Sequence, residues 1–114
     1  MIKKANDLTK IQDYITTWAS GWGMIYKHSD TCSVCHAALA VLDKFEQSYP
    51  DIPIAMLEVK SQRELSNQIA AEYEVPHESP QLLIFKDGIL KQTKNHFAIR
   101  QEWLVHIVEG WYAG

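Results

Sequence analysis

Gly23-Met24-Ile25-Tyr26-Lys27-His28, then Ser29-Asp30-Thr31, then Cys32-Ser33-Val34-Cys35: this stretch decides how the chain is read. The apolar run has the composition of a strand. Beyond the cysteines, Ala38, Val41, Leu42, Phe45 and Tyr49 recur at helical spacing. The pair therefore stands at a strand-to-helix junction, and these are the only two cysteines in the chain. A C-x-x-C placed there is a redox motif before it is anything else. The start of a helix offers unpaired N–H groups and the positive end of its dipole. Both favour an anion, so the first thiol ionises readily and becomes a nucleophile.

The rest of the composition narrows the context. The chain has 114 residues, which suits one domain over 1–114, with 46% hydrophobic and 22% charged residues. A formal net charge of −3 gives no nucleic-acid footprint. Met1-Ile2-Lys3-Lys4-Ala5-Asn6-Asp7 turns polar at once, and no apolar stretch has the length of a signal peptide or a membrane span. The expected location is the cytoplasm, with no membrane partner. In that compartment a lone cysteine pair is catalytic or metal-binding more often than structural.

Working outward, Leu8, Ile11, Ile15 and Trp18 predict a first helix ending near Gly21. A strand follows at about Met24 to His28, then the cysteine helix from Ser33 to Ser48, stopped before Tyr49-Pro50. Pro53 to Val59 reads as a second strand. Ser61-Gln62-Arg63-Glu64 has the form of a capping box, with Leu65, Ile69 and Tyr73 continuing a helical stripe. Leu82–Phe85 and Ile89–Gln92 flank Lys86-Asp87-Gly88, a hairpin signal. A last helix is expected over about Ile99 to Glu109, with Trp103, Leu104 and Ile107 inward and Gly110 as its stop. The order α, β, α, β, α, β, β, α implies an α/β fold with a mixed sheet of four strands, or five, and helices on both faces. With C-x-x-C in this position, the chain resembles the thioredoxin fold.

Ser79-Pro80, directly before the strand Gln81–Phe85, strengthens that resemblance. Thioredoxin-like proteins carry an X-Pro there with the peptide bond cis, a form that is cheap only before proline. The resemblance implies that this loop packs beside the nucleophile and that Ser79 offers its backbone to substrate.

A closer likeness lies in Lys27-His28-Ser29-Asp30-Thr31-Cys32, in Arg63-Glu64-Leu65-Ser66 with Ile69-Ala70, in Val75 with His77-Glu78-Ser79-Pro80-Gln81, and in Lys86-Asp87-Gly88 with His96 and Ile99. Together they resemble the monothiol-type branch of the bacilliredoxins, over roughly Tyr26 to Trp103. That family removes the low-molecular-weight thiol bacillithiol from mixed disulfides on proteins. The resemblance implies that Cys32 attacks the mixed disulfide and takes up bacillithiol, with Thr31, Ser33, Ser79 and Pro80 around the substrate. It implies no resident cofactor, bacillithiol being a thiol co-substrate. The partners are S-bacillithiolated or disulfide-bonded proteins. Many relatives read Thr-Cys-Pro-Ile-Ser. Here Ser33 replaces the proline, restoring an N–H at the first turn that could donate to the thiolate, and Cys35 adds a second thiol. Cys35 then resolves the Cys32 mixed disulfide, and a flavin disulfide reductase is needed for recycling. Thioredoxin's Trp-Cys-Gly-Pro-Cys is missing, and Tyr26 occupies the position where many thioredoxins keep a buried carboxylate.

Other chemistries fit less well. Cys32-Ser33-Val34-Cys35-His36 matches the C-x-x-C-H of haem attachment, with Met24 or Met56 as an axial ligand, but no export signal accompanies it. A metal could draw on Cys32, Cys35, His28, His36, His77 and His96, yet structural zinc commonly pairs two C-x-x-C units and only one exists. We therefore expect no metal site. His28 and His77 are candidates to tune the thiolate; His96 and Glu78 are weaker ones. Two alternatives stay open: a general thioredoxin-like protein-disulfide reductase, which needs the same cysteines, and a non-enzymatic interaction module with an unperturbed Cys32.

Overall fold

The computed structural model describes residues 3–4 and 21–113, with side chains over 21–109. Five strands form one sheet: β1 (Lys3–Lys4), β2 (Trp22–His28), β3 (Ile54–Glu58), β4 (Gln81–Lys86) and β5 (Ile89–Asn95). Their order is β1-β3-β2-β4-β5. β1 and β2 pair with β3 in parallel, whereas β2–β4 and β4–β5 are antiparallel. The fifth strand is β1, where Lys3 and Lys4 pair with Ala55 and Met56. The helix expected from Leu8, Ile11, Ile15 and Trp18 lies outside the described residues.

β2 is central, and every one of its residues is buried. That is the signature of a strand covered on both faces. Its alternating side chains divide the interior in two. Trp22, Met24 and Tyr26 join Leu82 and Ile84 on the face covered by α1 (Ser33–Ser48) and α3 (Gln101–Ala113). There they meet Ala38, Leu42, Phe45, Leu104, Ile107 and Val108. Ile25, Leu57, Leu83 and Phe85 pack on the opposite face against Leu65 and Ile69 of α2 (Arg63–Glu72). The periodic apolar positions of α1 are thus the ones it buries.

Element ends follow local chemistry, with three departures from expectation. α1 stops at Ser48, because Tyr49 precedes a proline and takes φ −131°, ψ 64°. The hairpin turns through Asp87 and Gly88, at φ 55° and 79°, the pair of positive values a two-residue type I′ turn demands. The capping box at Ser61 does not form. α2 has Gln62 at its N-cap without a side-chain cap, and the Ser61 N–H goes instead to the Glu58 carboxylate. The last helix begins at Gln101, after a 3₁₀ turn over His96–Ala98, and the Leu104 N–H reaches back to Arg100 O. It also runs through Gly110 to Ala113; one glycine weakens a helix by about 1 kcal/mol without ending it. Trp103 is only half-buried, whereas Leu104 is fully inside. The Ser79–Pro80 peptide bond is cis. Among the described residues, no helix is long and apolar enough to cross a membrane.

Candidate active site

Cys32 is the N-cap of α1 and is half-exposed. Its N–H donates to Ser29 O at 3.2 Å, closing the turn that leads out of β2. Several groups hold its thiol below the ordinary range. The strongest is the Cys35 N–H, followed by the Cys35 thiol. Burial opposes these next, and the Val34 N–H and then the Lys60 ammonium add smaller contributions in the lowering direction. The amides facing an N-cap side chain are those two and three residues on. This is why Val34 and Cys35 supply them and Ser33, expected to do so, does not.

Cys35 lies one helical turn deeper and is fully buried. Burial pushes its thiol up, and the neighbouring Cys32 pushes the same way. The Ser79 hydroxyl, 3.3 Å from Sγ, and the Ser29 N–H pull it back in part. So Ser79 meets Cys35 through its side chain, a contact that the sequence pattern did not suggest. The two free thiols are therefore unlike: one ionises easily at the surface, the other stays protonated beneath it.

The remaining predicted residues fall into separate groups. His28 is 1% exposed. Its Nδ1 lies 3.0 Å from the Tyr26 hydroxyl and its Nε2 3.0 Å from Asp30 Oδ1. Tyr26 donates to Cys35 O at 2.8 Å. His28 thus stands behind Cys35, and it is not among the groups that shift Cys32. His77 is on the other face of the sheet, its Nδ1 3.2 Å from Ser66 Oγ of α2. Its pKa is lowered by burial first and by the charges of Lys27 and Arg63 next. Thr31 Oγ1 accepts a hydrogen bond from Lys60 Nζ and lies 3.3 Å from Ser29 Oγ. Ser33 is exposed on the first turn of α1, and His36 Nε2 donates to Asp30 O at 2.7 Å. Glu78 pairs with His96 at 3.0 Å, and the His96 N–H donates to Pro80 O at 2.9 Å. That brings the start of the 3₁₀ turn against the proline loop.

Among the described residues, no three His, Cys, Asp or Glu side chains converge as metal ligands. Met24, offered as a haem ligand, is wholly inside the core. Two residues of the site carried no sequence signal: Glu58 and Lys60 looked like ordinary strand-end polar residues.

A C-x-x-C at the head of α1, beside a cis-proline loop and over a mixed five-stranded sheet, defines a thiol oxidoreductase of the thioredoxin fold. A solved structure described as a candidate oxidoreductase with a thioredoxin fold is 28% identical, with a TM-score of 0.84 over 92% of this chain and 91% of its own. Mitochondrial thioredoxin 3 of Saccharomyces cerevisiae, in its oxidised form, is 25% identical, with a TM-score of 0.74 over 96% and 94% of the two chains. Thioredoxin f2 of Chlamydomonas reinhardtii, at 15% identity, shares the fold with a TM-score of 0.78 over 100% and 99%. The sequence profile of the monothiol bacilliredoxin BrxC family matches residues 2–104, and the chain belongs to that family.

Proposed function

We propose that this protein is a bacilliredoxin working through two thiols. The Cys32 thiolate attacks the bacillithiol sulfur of a protein mixed disulfide. The S–S bond breaks, a Cys32–bacillithiol disulfide forms, and the client leaves as a thiolate that takes up a proton. Cys35 then gives up its proton and attacks Cys32 Sγ, expelling bacillithiol as its thiolate. The resulting Cys32–Cys35 disulfide is reduced by two electrons from a flavin disulfide reductase. The work is done in the cytoplasm, on S-bacillithiolated proteins, with bacillithiol as co-substrate and no resident cofactor.

The observation that carries this reading is the contrast between the thiols: Cys32 held below the ordinary range at a half-exposed helix start, Cys35 raised and buried one turn away. Attack by a low-pKa thiolate and delayed entry of a protonated second thiol follow from that contrast. Membership of the monothiol family supports bacillithiol as the group removed. Thr31 and Ser33 flank the incoming disulfide, and Ser79 and Pro80 line its other side.

The test is intact mass after mixing the reduced Cys35→Ser protein with a bacillithiolated model protein. One bacillithiol on Cys32 and a freed model protein are expected. The second cysteine also fits a general protein-disulfide reductase. Capture of the model protein itself on Cys32, with no bacillithiol transferred, selects that reading instead.

A further inference from the structure

Glu58 closes β3, and its carboxylate is shared between two loops. Oε2 accepts the Asp30 N–H at 2.9 Å, in the loop that delivers Cys32. Oε1 accepts the N–H groups of Lys60 at 2.7 Å and Ser61 at 3.3 Å, in the turn before α2. The Glu58 N–H is itself tied to Gln62 Oε1 at 3.1 Å. From that turn the Lys60 side chain crosses back, and its ammonium donates to Thr31 Oγ1, on the residue next to Cys32. The result is a closed circuit: Glu58 holds the backbone of both loops, and Lys60 joins them again at the mouth of the site.

We propose that Glu58 is a positioning residue for thiol exchange, clamping the Cys32 loop to the β3–α2 turn so that the Lys60 ammonium stays beside the reacting sulfur. A lysine on a free loop spreads over many rotamers and spends little time near any one group. With its backbone fixed by the carboxylate and its tip bonded to Thr31, it acts as a fixed charge. The ionised state that the clamp needs is maintained. Burial would push the Glu58 carboxyl up, but the N–H groups of Asp30, Lys60 and Ser61, with the charge on His28, hold it below the usual carboxylate range.

The sign of the effect separates this role from a bystander's. A carboxylate acting through space disfavours a nearby thiolate, so neutralising it would lower the Cys32 pKa. A carboxylate acting through Lys60 does the reverse. The inference rests on Cys32 being the nucleophile, not on bacillithiol being the substrate, and the experiment needs no bacillithiol. The pH dependence of iodoacetamide alkylation of Cys32, followed by peptide mass, gives its pKa in the reduced protein. Glu58→Gln, nearly isosteric, is expected to raise it by about half a pH unit, the size an exposed charge pair commands. Lys60→Met is expected to do the same, and the double variant to shift no further than the larger single one. A fall or no change in Glu58→Gln, or additive shifts in the double variant, overturns the proposal. Lys60→Met changes only an exposed side chain, so an unmoved Cys32 in that variant overturns it independently. If these shifts appear in a protein that takes up no bacillithiol, the substrate is wrong and the clamp stands.

Discussion

Tyr26 and Lys27 are neighbours in β2, both fully buried, and the two faces of the sheet treat them differently. On the α1 face the Tyr26 hydroxyl donates to Cys35 O and sits against His28, which passes the chain of contacts to Asp30, 74% exposed. On the α2 face the Lys27 ammonium donates to Ser66 O at 3.1 Å, and Ser66 Oγ meets His77. A phenol can be buried uncharged: desolvation pushes its pKa strongly upward, and its one proton has a partner. An ammonium cannot be buried so cheaply. Burial pushes Lys27 from 10.5 down to about 8, so near neutral pH the charge is kept against its environment. On the cysteine side the deeply buried group is therefore an uncharged hydroxyl, and the far side holds a desolvated cation.

The largest expected effect tests that contrast on the Lys27 side. Because the folded pKa is depressed, the fold gains from a neutral Lys27 above 10.5 and loses that gain as pH falls through about 8. Below about 8 both folded and unfolded chains carry the charge, and the full penalty applies. Lys27→Met should then stabilise the protein by about 1–3 kcal/mol at pH 7, with the gain shrinking between pH 8 and 10. Urea unfolding across that range measures it. A destabilised variant at pH 7 would mean that the ammonium is better satisfied than its burial implies.

On the other face, Tyr26→Phe should destabilise by about 1–3 kcal/mol, since His28 Nδ1 loses its buried partner. The alkylation profile of Cys32 should not move, because Tyr26 meets Cys35 only at its carbonyl, and the groups that set Cys32 are the Cys35 N–H and thiol, the Val34 N–H and Lys60. A shifted Cys32 profile with unchanged urea stability would reverse the assignment and make Tyr26 part of the nucleophile's own surroundings.

The sequence was most informative where periodicity and covalent constraint speak directly. The 16 residues of α1 ran over Ser33–Ser48 as the apolar stripe and Pro50 implied, and Asp87-Gly88 forced its hairpin. The C-x-x-C announced an oxidoreductase, which the fold and the family bear out. What stayed hidden depended on pairing across the sheet. Lys3 and Lys4 have no strand character of their own and become β1 only by lying beside Ala55 and Met56. Glu58 and Lys60 gain meaning from loops that meet in space, 28 or more residues apart in sequence from their partners. The Ser61 capping box failed for the same reason, because a carboxylate from the preceding strand reached the amide first. His28 and His77 look alike in sequence, both beside the site's loops, yet strand alternation and α2 put them on opposite faces.

The smallest effect sharpens the cysteine side of the comparison. Cys35 is kept protonated by burial, and the Ser79 hydroxyl is one of the two groups that ease its ionisation. Ser79→Ala removes that partner and leaves the cis-proline loop's backbone in place. The Cys35 thiol should then ionise less readily, so the step in which it attacks the Cys32 mixed disulfide should slow. One neutral hydrogen bond is worth about 1 kcal/mol, which corresponds to roughly a three- to fivefold loss. The first step, which needs only Cys32, should keep its rate. Stopped-flow mixing with a small disulfide separates the two phases. Equal slowing of both phases would mean that Ser79 acts on the substrate rather than on Cys35, and unchanged rates would mean that burial alone decides when the second thiol enters.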